Sequence, residues 1–529
     1  MPTDCISYQD SGYFSPLMND YLNQKDTLNK LYNRFPTRAN FEKQLLEKSE
    51  NFSHNTRATL VSVLKKQYSN IETSNLTNQN IDLLKADNTF TITTGHQLNL
   101  FSGPLYFLYK IISTINLTKE LKSNYPTHNF VPVYWMATED HDFEEINYFN
   151  FKGKKFRWNK DSTGPVGRLS TEGLSEFFEI YQQELGTSNN ATYLKELFKK
   201  SYLEHDNLAD ATRFLANALF GDYGLVILDA DNPDLKRSFI PFIKEELLSQ
   251  TSHKAVLETT EQLQAYNIQV NPREINLFYI EDKMRERIIL ENGVYKVNNT
   301  KKKFTQEQIL SLLQENPEHF SPNVIMRPLY QEVILPNLCY IGGGGEIAYW
   351  LELKSFFEAV KITFPMLLVR NSVLLATEKQ ARKADKLNLS WTDLFSKQMD
   401  LVNKQTVKLS SFSIDMSPLK EQLKQQFEAL HLITEQTDAS FAGAVKAQET
   451  KQLKGLENLE KRLLRAQKRK LVDVLERVTD LQNELFPNKS LQERQTNFSE
   501  FYLENGEKLI STLMNQLKPL DQNFTITIL

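Results

Sequence analysis

Cysteine is nearly absent from this sequence: 529 residues contain two, Cys5 and Cys339. They lie far apart, and neither has metal-ligand spacing. That excludes a disulfide scaffold and fits a reducing, cytoplasmic setting. No stretch approaches roughly 20 uninterrupted apolar residues, so no membrane span is expected. The opening MPTDCISYQDSGYFS has no basic stretch leading into an apolar one, so no secretory signal is expected. Charge of one sign is also missing. With 62 Lys and Arg against 66 Asp and Glu, the net charge is -4. Nothing marks a nucleic-acid binder driven by bulk charge, and no nucleic-acid partner is expected.

Hydrophobic residues make up 40% of the chain and charged residues 24%. A sizeable core follows and global disorder is excluded. The length predicts two to four domains. Residues 1–88 read as an N-terminal helical layer, with apolar Leu45, Leu60, Val63 and Leu64 at mixed helical spacing.

At residue 89 the pattern changes to a Rossmann-like α/β core with connecting segments, predicted over 89–372. Thr89–Thr94 is a short β-rich run. A loop from His96 to Gly103 follows, then Pro104 at a first helical turn, then apolar Leu105, Leu108, Ile112 and Ile115 at helical spacing. The next strand, Asn129–Met136, is continuously apolar at Phe130–Val133, the signature of a parallel strand buried on both faces. Residues 89–136 therefore form a βαβ unit with a right-handed crossover. Further strands are predicted at Leu225–Leu228, Val333–Ile341 and Met366–Val369, and a β-rich stretch with an Asn292-Gly293 turn at 275–300.

Beyond residue 373 glycine and proline become rare and Lys, Glu, Gln and Leu dominate, so a helical coiled-coil domain is expected over 373–515. Leu471, Val474, Val478, Leu481 and Leu485 step by three and four, a heptad seam. From Leu459 through Leu463 and Gln467 to Leu471 every step is four, which predicts a stutter. A single helix over 447–486 would span roughly 60 Å. Its seam must fold back on another helix or meet a partner, and a homodimer is the expected outcome. The basic run from Lys461 to Lys470 reads as a solvated face. Residues 516–529 alternate like a strand returning to the core.

Three motifs could carry chemistry. The first is Thr94-Gly95-His96-Gln97 with Ser102-Gly103-Pro104, at a strand-to-helix junction. Glycines there let backbone N–H groups approach a phosphate or carboxylate, although a plain packing turn gives the same pattern. Its spacing is neither a Walker loop nor GxGxxG. The second, Glu139-Asp140-His141-Asp142, directly follows the second strand, where ligands of open α/β sheets sit. It could bind Mg²⁺ with ATP, orient an amine, or act as acid and base; a solvated capping loop is the plain alternative. A structural zinc is disfavoured, because adjacent residues rarely share a tetrahedral site. The third is Asn323, Arg327, Gln331 and Glu332, then the run Gly342-Gly343-Gly344-Gly345 and Glu346. Arg327 suits a two-pronged grip on an anion, and the glycines before a helix form a second candidate cradle. Cys339 reads as packing rather than as a nucleophile.

At these motifs the sequence resembles the bacillithiol biosynthesis cysteine-adding enzymes, the BshC family. The strings that carry the resemblance are TGHQLNLFSGPLYFLYKIISTI, PVYWMATEDHDFEEIN, INLFYIEDKMRERI and FSPNVIMRPLYQEVILPNLCYIGGGGEIAYWLELK, within residues 91–354. The resemblance implies a Rossmann-type core, a coiled-coil domain through which subunits dimerise, and addition of cysteine to glucosaminyl-malate. ATP or ADP is then the expected nucleotide, with Mg²⁺ as its companion. Catalytic roles are expected at Glu139, Asp140, His141 and Asp142. Substrate or nucleotide contacts are expected at Gly95, His96, Gln97, Ser102, Gly103, Asn323, Arg327, Gly343, Gly344 and Glu346. Two readings of other classes remain open: a coiled-coil scaffold with a degenerate nucleotide-binding core, and a nucleotidylyl transferase with another acceptor.

Overall fold

The computed structural model describes residues 4–529. The chain forms two units. One comprises the chain up to Leu375 together with Ser490–Leu529, and the other is Ala376–Lys489.

At the centre of the first unit lies a five-stranded parallel sheet: β1 (Thr89–His96), β2 (Asn129–Met136), β3 (Val226–Asp229), β4 (Asn337–Gly342) and β5 (Met366–Val369), in spatial order β5-β4-β1-β2-β3. Helix α1 (Tyr106–Asn124) connects β1 to β2 and completes the expected βαβ unit. The strands are buried along nearly their whole length because both faces are covered, although β1 carries four threonines and a histidine. The chain winds one way from β1 through β3 and the other way through β4 and β5. The direction reverses between β1 and β4, and at such a switch point the loops leaving the two strands diverge and open a crevice.

A buried polar chain fastens the N-terminal helices to this sheet. Thr93 on β1 donates to Asn337 Oδ1 at 2.8 Å, Asn337 donates to Glu332 Oε1 at 2.7 Å, and the other Glu332 oxygen pairs with Lys48 at 3.1 Å. Glu332, grouped with the third motif in the sequence, is thus a structural residue.

The connecting segments contribute an antiparallel sheet in the order 303–304, 294–297, 284–291, 277–281, 320–322. Asn292 and Gly293 both take positive φ (52° and 78°), as a two-residue hairpin turn requires. The segment 333–341, read as one strand, splits. Met326–Ile334 is a helix that carries Arg327, and β4 begins only at Asn337.

The C-terminal strand, Asn523–Ile528, does not enter the central sheet. It pairs with Asp4–Ser7 in a separate three-stranded sheet with Ser372–Ala376. The second compact unit spans Ala376–Lys489, and the helices beyond it pack with the first unit. Three buried side chains hold the later helices in the first unit: Gln492 bonds the backbone of Leu375, Glu493 pairs with Arg370, and Asn497 donates to the carbonyls of Phe101 and Gly103.

In the second unit, Ser417–Thr434 and Ala439–Lys470 form a helical hairpin around Phe427 and Val445. Lys420 pairs with Glu460 at 2.7 Å and His431 with Glu449 at 2.9 Å across it. The 447–486 rod is not one regular helix. It is interrupted at Leu471 (φ -103°, ψ 15°), where the run of four-residue steps ends, and resumes as Val472–Leu485. Val478, Leu481 and Leu485 are buried as the seam predicts, together with Leu475.

Candidate active site

A cleft of about 1140 Å³ opens at the carboxyl ends of β1, β2 and β4, where the sheet reverses direction. Its floor is built around Gly95, the penultimate residue of β1. A β-carbon there would stand 3.1 Å from the Tyr340 hydroxyl and 3.8 Å from Arg327, so a side chain would fit only if Tyr340 gave way by a few tenths of an ångström. Lys110, one turn into α1, reaches back to donate to the Gly95 carbonyl at 2.7 Å and pairs with Glu346 at 2.5 Å. Burial pulls the Lys110 ammonium below its usual range, although Glu346 opposes this. Burial would raise the Glu346 carboxyl, but Lys110, the Gly343 N–H and the Tyr340 hydroxyl outweigh it and hold the group below the usual range.

Beside this pair stands Arg327. Its guanidinium donates to Gln331 Oε1 (3.1 Å) and to the Tyr349 hydroxyl (3.2 Å), and lies 5.7–6.0 Å from the ring centres of Trp135, Tyr340 and Trp350. Among the described residues no carboxylate approaches it within ion-pair distance. A positioned, aromatic-backed guanidinium without its own anion is a receptor for a carboxylate or phosphate.

The loop after β2 supplies the opposite pole. Its four residues have different tasks. Glu139 is largely buried, its side chain 12% exposed, and paired with Lys236 at 2.5 Å. Lys236 also holds Asp231 at 3.1 Å, and Asp231 takes a two-pronged grip from Arg168. Burial pushes the Glu139 carboxyl up, with Lys236 opposing. Asp140 Oδ1 accepts from the N–H groups of His141 and Asp142, and Oδ2 accepts from Gln97 at 3.0 Å. His141 Nδ1 lies 2.8 Å from a nitrogen of Arg285. A guanidinium only donates, so this contact makes Nδ1 the acceptor and leaves the ring proton on Nε2. The Asp142 carboxylate makes no hydrogen bond among the described residues and is the loop's free acceptor.

The loop does not fit a metal cage of its own. Among the described residues no group of three or more His, Cys, Asp or Glu is placed to hold an ion. Glu139 is committed to Lys236 and Asp140 to its own turn.

Gly95, His96, Gln97, Asn323, Arg327, Gly343 and Glu346 all line the cleft with the 139–142 loop. His96 is buried and its Nε2 lacks a partner. Burial, then Lys110 and Arg370, hold it well below the usual range, so it is neutral. Asn323 mainly caps its helix, accepting from the N–H groups of Ile325 and Met326. Two residues of the first motif are corrections. Ser102 and Gly103 do not line the cleft, because the turn 100–102 faces inward: Phe101 is fully buried among Phe149, Tyr181, Phe198 and Phe498. Gly103 is there for its positive φ (63°), and α1 starts at Tyr106 rather than at Pro104. In the glycine run, the Gly343 N–H is already bonded to Glu346, and Gly344 faces a neighbouring chamber.

Sequence reasoning missed Lys110, Lys236, Arg285, Arg370 and Arg494. Lys110 had a signal, as the one charge in the apolar run from Phe101 to Leu117. Arg370 directly follows a buried strand, the same position that singled out residues 139–142. The others reach the site only through the tertiary fold.

With this geometry in place, comparison with known proteins is decisive. The family description "Bacillithiol biosynthesis BshC, N-terminal Rossmann-like domain" matches residues 1–371, and "Bacillithiol biosynthesis BshC, C-terminal coiled-coil domain" matches 373–529. The chain belongs to the BshC family. Its relatives include a Flavobacterium johnsoniae protein, 74% identical over 526 residues and 99% of both chains. A Christiangramia forsetii protein is 59% identical over 532 residues, again 99% of both. One from Staphylococcus carnosus is 26% identical over 514 residues, 93% of this chain and 95% of that one. All three carry the name "Putative cysteine ligase BshC". The BshC resemblance and the Rossmann-like fold read from the sequence are borne out. No helix among the described residues is long and apolar enough to cross a membrane.

Proposed function

We propose that the cleft joins the carboxyl group of L-cysteine to the amine of glucosaminyl-malate, forming bacillithiol, with ATP activating the carboxylate. The observation that carries this reading is the bipolar cleft. An unpaired Arg327 faces, at the sheet's switch point, a loop with a free Asp142 carboxylate. Family membership and the relatives' names support it.

Amide formation from a carboxylate and an amine is uphill in water, so the carboxylate must first become a phosphoric anhydride. The amine nitrogen then attacks the acyl carbon, the phosphate group departs with the C–O bonding pair, and the amine surrenders a proton. Arg327, with Arg273 and Arg287 on the connecting segments, holds the malate or nucleotide anion. Asp142, in an acidic loop, receives the ammonium and takes its proton. His141 offers an N–H donor toward the cleft, because Arg285 occupies its other nitrogen. Catalysis comes from positioning and charge stabilisation.

The test is a reconstituted assay with cysteine, glucosaminyl-malate, Mg²⁺ and ATP, read by mass spectrometry for the coupled thiol. Wild type should form product only with ATP, and Asp140→Ala or His141→Ala should abolish it with the fold intact. Product without ATP would refute activation by ATP. Normal turnover in both variants would refute the site.

The second unit is proposed to pair two chains. Leu430, Leu432, Ile433 and Phe441 remain exposed around the hairpin tip, an apolar surface that a second copy would cover. Sedimentation should give twice the 61.5 kDa chain mass, and Leu432→Lys with Ile433→Glu should give the monomer. A wild-type monomer at micromolar concentration would refute the dimer.

A further inference from the structure

Beside the main cleft lies a smaller chamber of about 150 Å³, walled by Phe14 and Met18, by Gly343–Gly345, and by Arg370, Glu493 and Arg494. We propose that this chamber is a binding site for a single tetrahedral oxyanion of the phosphate class. The proposal does not depend on the ligase reading.

Several features of the chamber converge on that ligand. The helix Gly344–Leu351 begins in its wall, and its first intrahelical bond runs from the Ile347 N–H to the Gly343 carbonyl at 3.0 Å. The N–H groups of Gly344, Gly345 and Glu346 therefore have no carbonyl in a preceding turn, and they carry the positive end of the helix dipole. Helix N-termini of this kind take phosphate.

Independently, Arg370, 4% exposed, brings a donor that nothing satisfies. Its two terminal nitrogens grip Glu493 (2.7 and 3.1 Å), while its Nε is shut off from solvent and has no partner. That Nε lies 3.9 Å from where a β-carbon on Gly343 would stand, on the glycine turn whose own N–H is capped by Glu346, a carboxylate oxygen of which lies 3.5 Å from the same point. A buried N–H without an acceptor costs free energy until a ligand supplies one.

Charge and size agree. The bidentate pair cancels Arg370 against Glu493 and leaves Arg494, whose guanidinium makes no ion pair or hydrogen bond among the described residues. The lining thus keeps one net positive charge. At about 150 Å³ the chamber is several times smaller than the main cleft of about 1140 Å³, a scale that suits a small anion. A β-carbon on Gly344 would stand 3.4 and 3.6 Å from Met18 and Phe14, in ordinary van der Waals contact, and one on Gly345 would meet only open space. The chamber shares Gln269, Gly343, Gly345, Arg370 and Arg494 with the main cleft. The oxyanion could therefore be free phosphate or the terminal phosphate of a nucleotide lying in the cleft.

Calorimetry of the full chain with inorganic phosphate tests this. Wild type should bind one phosphate. Arg494→Ala, at an exposed position that should not disturb folding, should weaken binding at least tenfold. Gly345→Asp, which places a carboxylate at an open position, should remove it. ADP or ATP titrated against phosphate-saturated protein then separates the sources: competition identifies a nucleotide's terminal phosphate, and independent binding identifies free phosphate. No wild-type binding at 10-millimolar-order phosphate, or equal binding by wild type and Arg494→Ala, would overturn the proposal. Phosphate binding that responds to Arg494 in a protein that forms no thiol product would leave the chamber standing and the ligase reading refuted.

Discussion

Replacing Arg327 with methionine should lower kcat/KM for ligation by between roughly 30-fold and several thousandfold. A two-pronged, charge-assisted grip in a desolvated pocket is worth about 2–5 kcal/mol, and methionine cannot reproduce it. The fold should survive. Methionine is long, flexible and sulfur-bearing, and can keep packing against Trp135, Tyr340 and Trp350. Arg327 has no carboxylate of its own to orphan. Because it binds an anion present in the substrate before reaction, much of the loss should fall on KM. Arg327→Lys should recover only part of it, since an ammonium is a point charge without the planar fork. Steady-state kinetics of the three proteins decides this.

Lys236→Met should have the largest effect on stability, about 3–5 kcal/mol, because it leaves a buried carboxylate without a partner. Lys236 is 1% exposed and is the direct cation for Glu139. Asp231 keeps Arg168, so Glu139 bears most of the loss. The sign of the pH dependence follows. An unpaired, buried Glu139 has a folded pKa above its unfolded value, so it favours the fold below the unfolded pKa and disfavours it as pH rises through the folded one. The deficit should therefore shrink as pH falls from 7 toward 5, and adding Glu139→Gln should relieve most of it. Urea unfolding at both pH values measures this. A loss under about 1 kcal/mol, or one that does not change with pH, would contradict the ion-pair chain.

The contrast between these two residues shows what a sequence can convey. Arg327 was legible because it stands near a four-glycine run and has a side chain suited to anions. The 139–142 loop was legible because it follows a continuously apolar strand, and the carboxyl ends of buried parallel strands are where ligands sit. Lys236 was not legible. It lies in an ordinary amphipathic helix, and its partners Glu139 and Asp231 come from the ends of two other strands. The division of labour within the loop was hidden for the same reason: Glu139 and Asp142 differ not in chemistry but in whether a distant lysine reaches them. Ser102 and Gly103 misled because a glycine before a helix looks the same whether the turn faces ligand or core. Only the burial of Phe101 settles which. The end of the second compact unit at Lys489 was not legible because Glu493, Gln492 and Asn497 act through long-range contacts, while local composition across 490–515 remains helical.

The central claim is that the cleft at the β1/β4 reversal holds the substrate anion on Arg327. Calorimetric titration of glucosaminyl-malate into wild type and Arg327→Met, both without nucleotide, tests it most directly. The account predicts one site in wild type and an affinity at least 30-fold lower in the variant. Equal affinity in the two proteins would contradict it and place the anion elsewhere.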